Sequence, residues 1–240
     1  MRIEDYIALD LEMTGLHAKT DAILEVGAAR IRGGEVVDTL CFFVRSGKCI
    51  TSEITALTGI TQKMSAGGVT PKEALRRVVD FTGEDIWIGH NILFDYSFLK
   101  QLAVNEKCPF KKQAVDTLKL ARTLLEKPEK KDLESLCNYF GIERKRKHRA
   151  LDDAIAAHEL YQKLLDKYGE DKEGCFVPKE LIYKAKRQTP ATKMQKIHLK
   201  ELADYHKIDL DVSIESLTRS EASRLTDRLI LKYGRINPKD

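Results

Sequence analysis

A chain of 240 residues, 42% hydrophobic and 32% charged, with six prolines and fourteen glycines, has a globular composition that excludes disordered and fibrous classes. No stretch approaches the roughly 18 apolar residues of a membrane span, and the acidic start MRIEDYIALD lacks a secretory pattern, so no membrane partner is expected. Five scattered cysteines without a C-x-x-C pair argue against a disulfide framework and point to a reducing cytoplasm, while a net charge of +4 is too small to name a partner.

In chain order, YIALDLE (6–12), AILEVGAARIR (22–32) and VVDTLCFFVR (36–45) read as strands, and Gly33-Gly34 reads as a hairpin, giving an antiparallel meander. From residue 52 the period changes. SEITALTG is a short helix, and TPKEALRRVVDFTG is a helix with Thr70 as N-cap, Pro71 at its first position and Glu73 completing a capping box. DIWIGH (85–90) is a short buried strand that feeds the helix FDYSFLKQLAVNE, and another short strand spans 114–116. Helices follow at about 117–126, 132–140 and 150–168, the last with Leu151, Ala154, Ile155, His158, Tyr161 and Leu165 at its apolar positions. This order predicts an α/β fold, a mixed sheet flanked by helices, over residues 1–168.

Residues 169–191 lose periodicity around Gly169, Gly174, Pro178 and Pro190, as a linker does. Residues 192–240 form a small helical appendage, with helices opening at Thr192 (Gln195 three later) and Thr218 (Glu221 three later). The second carries Ala222, Leu225, Leu229 and Tyr233 on one face and stops at Gly234. So small a unit buries little alone and is expected to dock on the main domain or on a partner. Two basic stretches, ERKRKHR (143–149) and the acid-free Leu181 to Lys200 with its six Lys/Arg, are phosphate contacts or solvated faces.

The chemistry lies at element ends. Asp10 and Glu12 project from one face of a strand about 7 Å apart, close enough to share a divalent cation. A strand end already in solvent explains them equally without chemistry. In IGHNILFD the helix begins near Asp95, with Phe94 turned inward and Asp95 outward, bringing a third carboxylate to the sheet edge or acting as an N-cap. In KHRALDDAIAAH, His148 precedes a helix whose first turn holds Asp153, with Asp152 about 100° round the helix as the alternative. A first-turn acid also answers the helix dipole. Four carboxylates and a histidine are what a two-metal phosphoryl-transfer site requires.

The order D-x-E, H-N-x-x-F-D, H-x-x-x-x-D resembles the DEDDh exonucleases, which have a ribonuclease H-like fold, here expected as a five-stranded sheet. The linker ITALTGIT (54–61) looks like the proofreading branch, the epsilon subunits and PolC-type exonucleases. The resemblance implies two divalent cations, Mg²⁺ or Mn²⁺, with Asp10 bridging both, Glu12 and Asp153 completing the coordination of the first cation, and Asp95 serving the second cation through water. It implies His148 as general base, and Met13, Thr14 and Leu16, with Asn91 nearby, as holders of the 3′-terminal nucleotide. The implied activity is 3′-to-5′ removal of nucleoside 5′-monophosphates from a single-stranded end, with a DNA polymerase as a possible partner. D-L-E-M-T-G-L is instead the form seen in oligoribonucleases. H-N-x-x-F-D and the linker tip the expectation to DNA, with short RNA as the alternative. An inactive scaffold is the alternative of another class, and the five intact positions stand against it.

Overall fold

The computed structural model describes residues 3–210 and 212–237, apart from the side chain of Ser216. Its sheet has six strands in the order β3-β2-β1-β4-β5-β6. Strands β1 (Tyr6–Met13), β2 (Ile23–Arg32) and β3 (Glu35–Phe43) form the expected meander. Gly33 and Gly34 turn the hairpin with φ of 56° and 82°, the left-handed pair that a two-residue type I′ turn needs. Strands β4 (Trp87–Gly89) and β5 (Gln113–Asp116) add in parallel, and β6 (Lys179–Glu180) adds antiparallel at the edge. Five strands were expected; the sixth is two residues long and carries no alternation that a sequence could betray.

Helix α1 (Ser52–Thr58) takes in most of the ITALTGIT stretch and α2 (Gln62–Ala66) begins just after it, followed by α3 (Pro71–Thr82) and α4 (Ile92–Asn105). Next come α5 (Thr117–Leu124), α6 (Leu133–Phe140) and α7 (Ala150–Tyr168). The appendage holds α8 (Lys193–His206) and α9 (Arg219–Tyr233), each opened by a full capping box, at Thr192/Gln195 and Thr218/Glu221. At α3 the expected box is only half made. Thr70 accepts the Glu73 N–H, but the Glu73 carboxylate is drawn to Arg76 and Arg77, where charge-assisted bonds are stronger than a cap.

The two faces of β1 enter different cores. Ile7, Leu9, Leu11 and Met13 pack with residues of α3 and α4 such as Leu75, Val78, Tyr96 and Leu99. Tyr6 and Ala8 face the other way, onto Leu160, Tyr161 and Leu164 of α7. His158, expected at an apolar position, is buried as a bonded group, its Nδ1 2.8 Å from the Tyr6 hydroxyl. Continuing the alternation along the α7 face puts Asp10 and Glu12 where the helix begins. The appendage has its own core of Leu199, Leu202, Leu217, Ala222 and Leu229, and it is tied to the sheet domain by Lys48–Glu221 at 2.6 Å.

Candidate active site

Strand β1 outruns its parallel neighbour. Pairing with β4 covers only Ile7 and Ala8, so the later residues of β1 have no strand on that side. The Leu11 N–H is taken up by the Asp95 carboxylate at 3.0 Å. Asp95, expected to face outward, instead points in and is 3% exposed, while Phe94 is only half-buried. The reason is that lone backbone donor, which a buried carboxylate satisfies better than water can. Nor is Asp95 the N-cap; Asn91 holds that place with φ of 63°, its N–H donating to Asp116 Oδ1 at 2.9 Å.

On the other edge of β1, Asp10 pairs with Gly27 and Glu12 with Glu25 of β2. Gly27 is where α7 crosses. A Cβ there would stand 2.1 Å from the Ala150 carbonyl carbon and 2.1 Å from Leu151 N, so only a glycine admits the helix start this close to Asp10. Beside it Glu25, 1% exposed, grips Arg149 (2.6 Å to Nη2) and accepts the Ala150 N–H at 3.1 Å. His148, one residue earlier, is held with φ of 55°, a left-handed conformation costing on the order of 1 kcal/mol, and its N–H donates to Asp153 Oδ2 at 3.2 Å. Ligand atoms of Glu12, His148 and Asp153 consequently all lie within 4.8 Å of one another. Asp152, the alternative to Asp153, turns to Arg146 at 3.1 Å.

So many acids in one place raise one another's proton affinity. Burial first, then Asp95, Glu12 and Asp153, hold Asp10 well above the ordinary carboxylate range. Burial, with Asp153 and Glu25, pushes Glu12 up to about 8 against the pull of Arg149. Burial also raises Asp95, and it raises Asp153 despite Arg144, whose Nη1 lies 2.7 Å from Asp153 Oδ1. A cluster of this kind holds either protons or cations. Its oxygen donors suit hard divalent ions of the Mg²⁺ and Mn²⁺ type.

The three predicted nucleotide contacts on the exit of β1 differ in what they leave free. Met13 turns its side chain into the core, and the Thr14 hydroxyl accepts the Ala22 N–H at 2.9 Å, closing the loop that follows. Leu16, at the tip, is 75% exposed. Asn91 is exposed at the start of α4. Glu25, Arg149, Arg144, Asp116 and Gly27 are supporting residues that sequence reasoning passed over. The signal for Glu25 was present: one acid in the otherwise apolar run AILEVGAA must have a buried partner.

This architecture is shared with solved exonucleases. The nuclease domain of 3′hExo, a DEDDh family member bound to rAMP, aligns with a TM-score of 0.61 at 20% identity, over 75% of this chain and 98% of that one. E. coli Exonuclease I in complex with a dT13 oligonucleotide gives 0.64 at 17% identity, over 70% of this chain and 42% of that one. The family described as Exonuclease, of RNase T type, matches residues 7–161, and the chain belongs to it. Among its relatives, the DNA polymerase III epsilon subunit of Aquifex aeolicus is 32% identical over 169 residues, covering 68% of this chain and 84% of the relative. The PolC-type DNA polymerase III of Clostridium perfringens is 35% identical over 170 residues, covering 71% of this chain but only 12% of that much longer polymerase. Among the described residues no helix is long and apolar enough to cross a membrane.

Proposed function

We propose that this exonuclease-family chain shortens single-stranded DNA from its 3′ end, releasing nucleoside 5′-monophosphates. The observation that carries the reading is the convergence of Glu12, His148 and Asp153 within 4.8 Å, with Asp10 and Asp95 beside them. In this reading Asp10, Glu12, Asp95 and Asp153 hold two divalent cations, Mg²⁺ or Mn²⁺. Bound there, the cations would lower the pKa of the attacking water and offset charge on the leaving oxygen.

The chain's own groups do the rest. His148 takes the proton of the attacking water, and its place is set by the bond from its N–H to Asp153 and by the Arg149–Glu25 grip next door. Exposed Leu16 gives the terminal base an apolar surface to lie on, with exposed Asn91 at the start of the helix that carries Asp95 as a further contact. Asp10 would help hold the cations from β1, the strand that lies between β2 and β4 in the sheet. The polymerase names of the relatives support a DNA polymerase as partner.

Replacing the histidine isolates its role. His148→Ala is expected to slow cleavage about 10²-fold or more, the scale of a lost general base. A variant that keeps the wild-type rate would move that role to another group.

The substrate is decided by presenting one sequence as DNA and as RNA, with each metal titrated. The expected result is faster 3′ shortening of the DNA and dependence on added divalent ion. The stretch D-L-E-M-T-G-L favours a second reading, an exoribonuclease on short RNA, and faster loss of the RNA, discriminated through its 2′-OH, would establish that one instead.

A further inference from the structure

The fold treats the two basic stretches differently. In ERKRKHR, four of the five bases are already spent on acids: Arg144 on Asp153, Arg146 on Asp152, Lys147 on Glu134 and Arg149 on Glu25. Of the six between Leu181 and Lys200, only Lys196 has an acid, Glu215, among the described residues. Lys184, Lys186 and Arg187 are exposed and cluster in the strap that joins β6 to α8.

The strap has no helix or strand of its own, yet its backbone is fastened. Gln101 Nε2 donates to the Lys186 carbonyl at 2.9 Å, the Gln188 N–H donates to Asn105 Oδ1 at 2.9 Å, and Asn105 Nδ2 donates to Gln188 Oε1 at 3.1 Å. The side-chain amide of Gln188 also donates to the carbonyl of Lys19, in the loop whose tip is Leu16. Gln101 and Asn105 belong to α4, the helix that supplies Asp95. The backbone that carries these three bases is thus fastened to the loop of Leu16 and to the helix that supplies Asp95.

We propose that Lys184, Lys186 and Arg187 form a track for the phosphates of a single strand upstream of its 3′ end, carrying the backbone past the Leu16 loop. The proposal rests on the nucleic-acid reading of the acidic site. A polyanion entering a cluster of carboxylates needs cations along its approach, and bases without acids of their own give up no ion pair when they bind it. The loop 143–149, though closer in sequence to His148, has only Lys145 left to offer.

The test compares the full chain with a variant carrying Lys184→Ala, Lys186→Ala and Arg187→Ala together. Binding of a fluorescein-labelled trithymidylate and of a fifteen-nucleotide oligothymidylate is followed by anisotropy in EDTA across a salt series. The expected result is tighter binding of the long strand by the wild type, about tenfold or more at low salt. The slope of log affinity against log salt should fall by about 2 in the variant, as for three lost phosphate contacts on single-stranded nucleic acid. Binding of the trinucleotide should stay the same, which also shows that the variant is folded. An unchanged slope, or an equal loss on both lengths, overturns the track. Cleavage is assayed separately with metal, so a wild type that shortens neither DNA nor RNA would refute the catalytic reading while the salt slopes still judge the strap.

Discussion

Asp10→Ala is expected to leave a folded protein that binds single strands but cleaves them at least about 10³-fold more slowly, the rate equivalent of the several kcal/mol that bound cations supply to such a transition state. Asp10 is the group whose loss should hurt most, because every other acid of the cluster presses on it. Measured cleavage near the wild-type rate, with metal present, would refute the site. A companion measurement needs no substrate. Without metal, Asp10, Asp95 and Asp153 are held above the ordinary carboxylate range and Glu12 at about 8, so the folded state binds more protons than the unfolded chain. For acids raised in this direction, stability is greatest below the unfolded value, about 4, and is lost as pH rises towards 8. Asp10→Asn removes one of the repelling charges. In EDTA it should therefore unfold at higher temperature than the wild type near neutral pH, with the gap closing towards pH 4; a lower melting point at neutral pH would contradict the electrostatics.

Gly27→Ala is expected to cost both stability and activity although it adds only one methyl group and removes no charge or hydrogen-bonding group. The methyl would meet the backbone at the Ala150–Leu151 junction at 2.1 Å, and backbone cannot swing aside as a side chain can. Either the start of α7 lifts or the meander yields, at about 1–3 kcal/mol for an overpacked contact. Lifting α7 carries His148 and Asp153 away from Asp10 and Glu12, and a misplacement near 1 Å at reacting groups costs about 10²-fold in rate. Thermal melting and the cleavage assay together check this. A variant that melts and cleaves as the wild type does would mean that the close crossing does not position the site.

Much of this was legible from local pattern. The strand ending in D-L-E, the glycine pair of the hairpin, the capping boxes of the appendage and the helix after KHR are all set by residues close in sequence, and Glu12, His148 and Asp153 come together. What escaped depends on partners far along the chain. The inward turn of Asp95 follows from β1 outrunning β4, which no window of sequence contains. Whether a basic run is free or spent depends on acids elsewhere: Glu25 is 124 residues from Arg149, and Glu134 reaches Lys147 from another helix. The edge strand β6 is placed by Leu181 and Phe176 entering the cores, not by anything in Lys179-Glu180 themselves.

The bond from the Leu11 amide to Asp95 has a use as a gauge. Its neighbours along β1 are shielded by strand-to-strand pairing, which opens only when the sheet opens. This one amide is shielded by a side chain. Its hydrogen exchange therefore reports whether the Asp95 carboxylate is in place, independently of the stability of the sheet around it. Selective loss of protection at Leu11 would register a change at the acidic cluster before any strand had moved.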